Sequence, residues 1–282
     1  MKNKTGSIVA IVLLSLLACG LVFATYFGIK YISLGDFSNS RFFSAESQRL
    51  ALEKEFDLKT INLINTETES SDISYIKGDE NSDKILVRIY ANEDKIVSAD
   101  KEDNTLNVSV KGSCKGFCFG FSNDRVEITL PENYDGDFVN RSDTGDIRSD
   151  SFTHASFNLN TNAGDIDITV AKSITINTDA GDIDIQSAED ISIDSNAGDI
   201  TIGECFNKLH IKTNAGDIKI NELQLSQNAD IETDAGDVSI NNAGNAYVDA
   251  HAKFGDVNIQ NNNRMSDIEL KIETNAGDIK VN

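Results

Sequence analysis

Between residue 142 and the C-terminus the chain writes one phrase eight times, Thr/Ser-Asn/Asp-Ala-Gly-Asp-Ile/Val-x-Ile/Val, with small departures. Its Gly-Asp pairs fall at Gly145-Asp146, Gly164-Asp165, Gly181-Asp182, Gly198-Asp199, Gly216-Asp217, Gly236-Asp237, Gly255-Asp256 and Gly277-Asp278, so the steps are 19, 17, 17, 18, 20, 19 and 22 residues. A unit this short cannot bury an apolar face alone and is stable only when stacked on its neighbours. The spacing therefore predicts a solenoid with one coil of 17 to 22 residues per step.

The pattern inside a step says what the coil is made of. Ile174 and Ile176 alternate with polar residues, and the pairs Ile183/Ile185, Ile191/Ile193 and Ile200/Ile202 repeat the arrangement. Period two belongs to strands with one buried face. Two short strands and two tight turns fill a coil, with Ile and Val facing a narrow core and Asp, Asn, Lys and Ser facing water. Successive coils pair about 4.8 Å apart, so the eight motifs predict a rod of roughly 35 to 40 Å. A strand, a connection and a parallel strand in one sheet run right-handed in nearly all proteins, which predicts an all-β, right-handed parallel β-helix. The left-handed hexapeptide helix needs an aliphatic residue every six, whereas the steps here are two and then seven to nine. That fold, and the acyltransferase activity often found on it, are set aside.

Each motif position has a backbone reason. Gly stands where the turn requires a positive φ, and Ala before it is small enough for a crowded corner. Asn or Asp two residues before Gly (Asp143, Asn162, Asp179, Asn196, Asn214, Asp234, Asn275) can cap its turn and stack on its equivalent as a polar ladder. The seventh copy, Ala252-Lys253-Phe254-Gly255-Asp256, departs at three adjacent positions and predicts a local distortion. The eighth is followed by only four residues, so Ile279 to Val281 are expected to form the open edge of the rod.

The N-terminus supplies a second constraint. Lys2 and Lys4 precede residues 5–29, which carry no charge and include a long apolar run. That length spans a bilayer as one transmembrane helix, and the lysines bias the N-terminus to the cytoplasm and the rest of the chain outside. Leu16-Leu17-Ala18-Cys19 resembles a bacterial lipobox, making Cys19 a candidate for lipidation, but the sequence stays apolar beyond it, unlike a lipoprotein. The chain thus divides into a cytoplasmic tip and anchor (1–32), a linker (33–57) with a short helix over 44–56 capped by Ser44, an irregular β region (58–139) forming N-terminal coils or a cap, and the solenoid (140–282).

Candidate chemistry is sparse. Cys114 and Cys118 form a C-x3-C pair able to close a disulfide outside the cell. His154, His210 and His251 are scattered without partners in sequence. The aspartates of the Gly-Asp pairs (Asp146, Asp165, Asp182, Asp199, Asp217, Asp237, Asp256, Asp278) would stack in a column, each neighbouring pair repelling by about 1 kcal/mol even in water. Either turn N–H groups offset this, or calcium binds between coils. Calcium rolls use Gly-Gly-x-Gly-x-Asp at both turns, and this chain has Ala-Gly-Asp at one, which argues against that reading. Coils this short leave no long loops to build a cleft, so a non-enzymatic role without cofactors is expected. A net charge of −21 sets nucleic acid aside as a partner.

The anchor, the irregular β region, the Ile128-Thr-Leu-Pro131 junction and the Asp143-Thr-Gly-Asp-Ile147 opening of the ladder together resemble the bacterial putative-adhesin family of β-strand-repeat surface proteins, a family whose domain has no assigned function. The resemblance covers roughly residues 58–282. It implies a β-solenoid at the cell surface, members having been connected with adhesion by analogy and, in some Gram-positive lineages, with envelope-stress signalling. It carries no catalytic or ligand residues. The leading expectation is a membrane-anchored module that binds an envelope or host component, protein or glycan. The alternatives are a stress sensor contacting membrane signalling proteins and a calcium-binding repeat module.

Overall fold

The computed structural model describes residues 49–112 and 124–282. The candidate anchor, Cys19, Cys114 and Cys118 lie outside the described residues. Among the described residues no helix is long and apolar enough to cross a membrane.

The described part is all-β. Strands β1 (Arg49–Asp57), β2 (Leu63–Lys77), β3 (Lys84–Ala91), β4 (Lys95–Glu102), β5 (Thr105–Gly112) and β6 (Asp124–Leu130) precede the motif region. β7 (Asp137–Thr144) leads into four long strands, each bent into one coil: β8 (Ile147–Ala163), β9 (Ile166–Ala180), β10 (Ile183–Ala197) and β11 (Ile200–Ala215). Later coils are split, as β12 (Ile218–Leu223) with β13 (Ala229–Ala235), β14 (Val238–Asn242) with β15 (Tyr247–Phe254), and β16 (Val257–Ile259) with β17 (Glu269–Ala276), before β18 (Ile279–Val281).

Consecutive long strands pair in parallel with like residues in register, Ile166 on Ile183 and Ile183 on Ile200. Each coil offers the stack a first limb, just after its Gly-Asp corner, and a second limb, just before the next. Inward residues of both limbs are almost wholly buried, among them Ile183, Ile185, Ile191 and Ile193. Burying such a side chain contributes about 2 to 3 kcal/mol, so identical coils sum to a continuous core. Toward the N-terminus the core widens around Tyr75, Phe138, Phe152 and Phe157, with Phe138 and Phe157 stacked at 4.4 Å.

Stacking order is not sequence order. At the C-terminal end β13 pairs with β17 and β17 with β15, while β14 pairs with β18 and β18 with β16. The corner at Gly277, with β17 and β18 on either side of it, is therefore inserted between the corners at Gly236 and Gly255 that precede it in the chain. Ile279 and Val281 are buried and paired on both sides, so the open edge expected there is instead that of β15 and β16. The expected distortion of the seventh copy takes the same form: its corner keeps Gly255 at φ +150°, and its irregular residues lie at the end of the stack, where among the described residues no further coil demands a match.

The N-terminal region repeats the device. β2 lies between β5 and β7 along one limb and between β6 and β8 along the other, all in parallel. Beyond it the chain reverses: β3 pairs antiparallel with β6, β4 with β5 and β1 with β3. The irregular region is thus part of the same stack and caps it. Arg49–Asp57 is a strand, not the helix expected over 44–56. Its Leu52 and Phe56 pack on the core and Glu53 meets Arg88 across the pair at 2.7 Å, contacts that outweigh a marginal local helix signal.

Candidate functional site

The corners carry the most regular chemistry in the molecule. Gly164, Gly181, Gly198 and Gly216 have φ between +122° and +130°, as the motif requires. A second reason was not legible in the sequence. A Cβ added at Gly198 would lie 2.1 Å from the Gly181 carbonyl oxygen, so the corners approach one another backbone to backbone.

This approach brings each aspartate to its neighbour. The backbone N–H of Asp165 donates to Asp146 Oδ1 (3.1 Å), that of Asp182 to Asp165 (3.0 Å), that of Asp199 to Asp182 (2.9 Å) and that of Asp217 to Asp199 (2.8 Å). The chain of bonds continues from Asp237 to Asp217, then Asp278 to Asp237 and Asp256 to Asp278, following the spatial order. The expected N–H compensation is present, but it comes from the next coil rather than from the aspartate's own turn. Hydrogen bonds to an ionised acceptor are about twice as strong as neutral ones, which offsets the repulsion along the column. Among the described residues no three His, Cys, Asp or Glu side chains come together as a metal-ligand set.

Two further columns flank it. The Asn/Asp ladder forms as expected, with Asn196 Nδ2 donating to Asp179 (2.6 Å), Asn214 to Asn196 (2.8 Å) and Asn275 to Asp234 (2.6 Å). The Thr/Ser that opens the motif had no assigned reason. Its hydroxyl is buried and from Ser142 to Thr213 donates two residues along the chain, as Thr161 does to the Ala163 carbonyl and Thr213 to that of Ala215, while Thr274 donates instead to the Gly236 carbonyl of the neighbouring corner. An N-terminal copy of the corner lacks the glycine. Thr68-Glu69-Ser70-Ser71-Asp72-Ile73 occupies the same corner, with Asp146 N–H donating to Asp72 Oδ1 at 3.0 Å. Only its Thr, Asp and Ile signal it, since Ser71 stands where Gly would.

Replacing Asp199 separates the roles of this column. Asp199→Asn keeps an oxygen for the Asp217 N–H and should change stability by less than about 0.5 kcal/mol, while Asp199→Ala leaves that donor to water and should cost about 1 to 2 kcal/mol. Urea midpoints of the two variants, taken with and without millimolar calcium, check this. Equal midpoints would refute the bonding role, and a large saturable gain with calcium would restore the calcium reading.

The second limbs present a flat outer face of short polar side chains. Asn158, Thr175 and Ser192 form one row and Asn160, Asn177 and Asp194 the next, in register. Toward the C-terminal end the rows become charged, with His210 Nδ1 2.7 Å from Asp230 and Lys212 paired with Glu232 at 3.4 Å. Surface grooves are shallow; one of about 300 Å³ runs between Glu232, His251 and Glu273. Cys205 is buried in the core, and its burial pushes the thiol up to about 11. The scattered histidines stay apart: His210 and His251 each meet an aspartate, and His154 is exposed on β8.

Among solved structures the chain is similar to one described as a putative adhesin from Bacteroides fragilis, at 18% identity over 84% of this chain and 98% of that one, with a TM-score of 0.48. It is also similar to one described as a putative lipid binding protein from Parabacteroides distasonis, at 17% identity over 82% and 96%, TM-score 0.40. A second from that organism, described as a putative adhesin, shows 15% identity over 83% and 98%, TM-score 0.39. No curated protein matches. The Toastrack DUF4097 family profile matches residues 61–282, which takes in β2 with its degenerate corner as well as every Gly-Asp motif, and the chain belongs to that family.

Proposed function

We propose that the chain is a non-enzymatic surface module, tethered to the cell membrane by residues 5–29 with its solenoid outside, which binds an envelope or host component along the flat face of its second limbs. The single observation that supports the reading is that face. Its backbone groups are consumed within the ladder, its inward side chains fill the core, and what it offers is a regular array of Asn, Thr, Ser and Asp. Such an array suits a long, repetitive, polar partner, each contact weak and the sum set by length. Handedness follows the general rule for parallel crossovers and is right-handed in this reading.

The test uses cells producing the full chain. External protease should reach the solenoid, and retention of isolated envelope glycan or wall material should fall at least about tenfold in Asn177→Arg/Asp194→Arg, two outward changes that leave the melting midpoint unmoved. Retention indifferent to this pair, or a solenoid shielded from protease, would overturn the proposal. A response confined to envelope-stress transcription would favour the sensor instead.

A further inference from the structure

The flat face of the second limbs is not uniform along its length. Toward the N-terminal end, Glu67, Arg141 and Asn160 continue the row of Asn177 and Asp194, in register on adjacent strands. Beside them opens a groove of about 410 Å³. Thr68 and Ser142, both buried, form its floor, with their hydroxyls 3.0 Å apart. Its walls carry Glu67, Glu69, Arg141, Asp143, Asn160 and Asn162.

These groups are not equally engaged. Glu67 is held by Lys111 at 2.9 Å, and Glu69 accepts the Gly112 N–H at 2.8 Å. Asp143 Oδ1 accepts a long bond of 3.4 Å from Asn162, and its second oxygen accepts none among the described residues. Arg141 lies between Glu67 and Asn160, with Asp143 lining the same groove, yet makes no hydrogen bond or ion pair among the described residues. A guanidinium and a carboxylate oxygen thus face one groove with their bonding capacity unspent.

The mixture decides what can fill the groove. Among its described lining residues none has an aromatic or aliphatic side chain, so the apolar anchor of a protein partner gains nothing there. Three carboxylates against the two cations Lys111 and Arg141 disfavour a phosphate or carboxylate ligand. A neutral polyol meets both kinds of group at once, because each hydroxyl donates one hydrogen bond and accepts others. Asp143 can receive such a donor, while the planar fork of Arg141 offers parallel N–H groups to adjacent oxygens. Bonds to charged partners are about twice as strong as neutral ones, which suits a groove open to water.

We infer that the groove seats a neutral sugar, with a pair of its hydroxyls held between Arg141 and Asp143 and the rest of a glycan running on over Asn160 and Asn177. The inference rests on the second-limb face being the binding surface, and it names the class of the partner.

The test offers the full-length chain in detergent isolated envelope glycan and, separately, the neutral disaccharides released from that glycan. Arg141→Ala should lower both retention of the glycan and affinity for the disaccharides at least about tenfold. Asp143→Asn should do the same while keeping the ladder, since Asn fills that column at Asn162, Asn196 and Asn214. Asn177→Arg/Asp194→Arg, two and three coils away, should weaken the glycan and leave the disaccharides unaffected. Arg141→Lys keeps the charge without the fork and should fall with Arg141→Ala. Thermal midpoints confirm that each variant is folded. Glycan retention that the Asn177/Asp194 pair abolishes but Arg141→Ala leaves intact would overturn the groove and spare the face. Binding that survives Arg141→Lys and fades with rising salt would mean an anion held by charge and would overturn the neutral sugar. No uptake of the disaccharides at millimolar concentration would overturn it as well.

Discussion

Gly198→Ala is expected to cost more than about 3 kcal/mol, the heaviest penalty that one added carbon can exact in the stack. Two effects coincide. A φ of +122° lies in a region that side chains with a Cβ rarely enter, and the new carbon would sit 2.1 Å from the Gly181 carbonyl oxygen and 2.6 Å from its carbon. The obstacle is backbone already held in the ladder, so it cannot swing aside. Gly112→Ala is the matched control, because its Cβ would meet the far ends of the flexible Glu69 and Lys95 side chains rather than backbone, and its φ is ordinary. That change should cost under about 1 kcal/mol. Urea midpoints compare the two, and similar values would mean that corner-to-corner contact does not hold the coils together.

A comparable loss is expected from Ile183→Asp, and here the cause is the core. Ile183 is 1% exposed and stacked between Ile166 and Ile200. The substitution gives up about 2 to 3 kcal/mol of apolar burial and places a carboxylate among aliphatic side chains with no donor to receive it. A total above about 4 kcal/mol follows. Asp184→Asn, one residue on, faces water beside Asp167 and Thr201 and should be neutral or slightly stabilising, since it removes a like-charge neighbour. Thermal midpoints that fall equally in both variants would refute the inward and outward assignment.

The inward Ile pairs and the positive φ of the corner glycines were legible because both are local: alternation of period two and a residue without a Cβ carry their reasons with them. The Asn ladder was legible for a related reason, since like residues at like positions of stacked coils must meet. What escaped depends on neighbours distant in sequence. Nothing in the residues around Asp199 says that its oxygen serves Asp217 rather than its own turn, because either donor satisfies a carboxylate. Arg49–Asp57 read as a weak helix, and only its partner strand Lys84–Ala91 makes it a strand. Ser71 hid a corner because the position does without the positive φ that marks the others.

Regularity of a copy proved to report its place in space rather than along the chain. Thr274-Asn275-Ala276-Gly277-Asp278 is a faithful repeat because coils lie on both sides of it, and Ala252-Lys253-Phe254 is free to vary because, among the described residues, a coil lies on one side alone. This insertion bears on how the protein is made and how it can be lost. A ribosome delivers the interior layer after both of the coils that flank it, so those two must wait apart until Glu269–Val281 has emerged. A premature stop after Met265 would leave the end of the described stack in place and remove a middle course, β17 and β18. Shortening by whole repeats is tolerable only where sequence and stacking order agree, from β8 to β11.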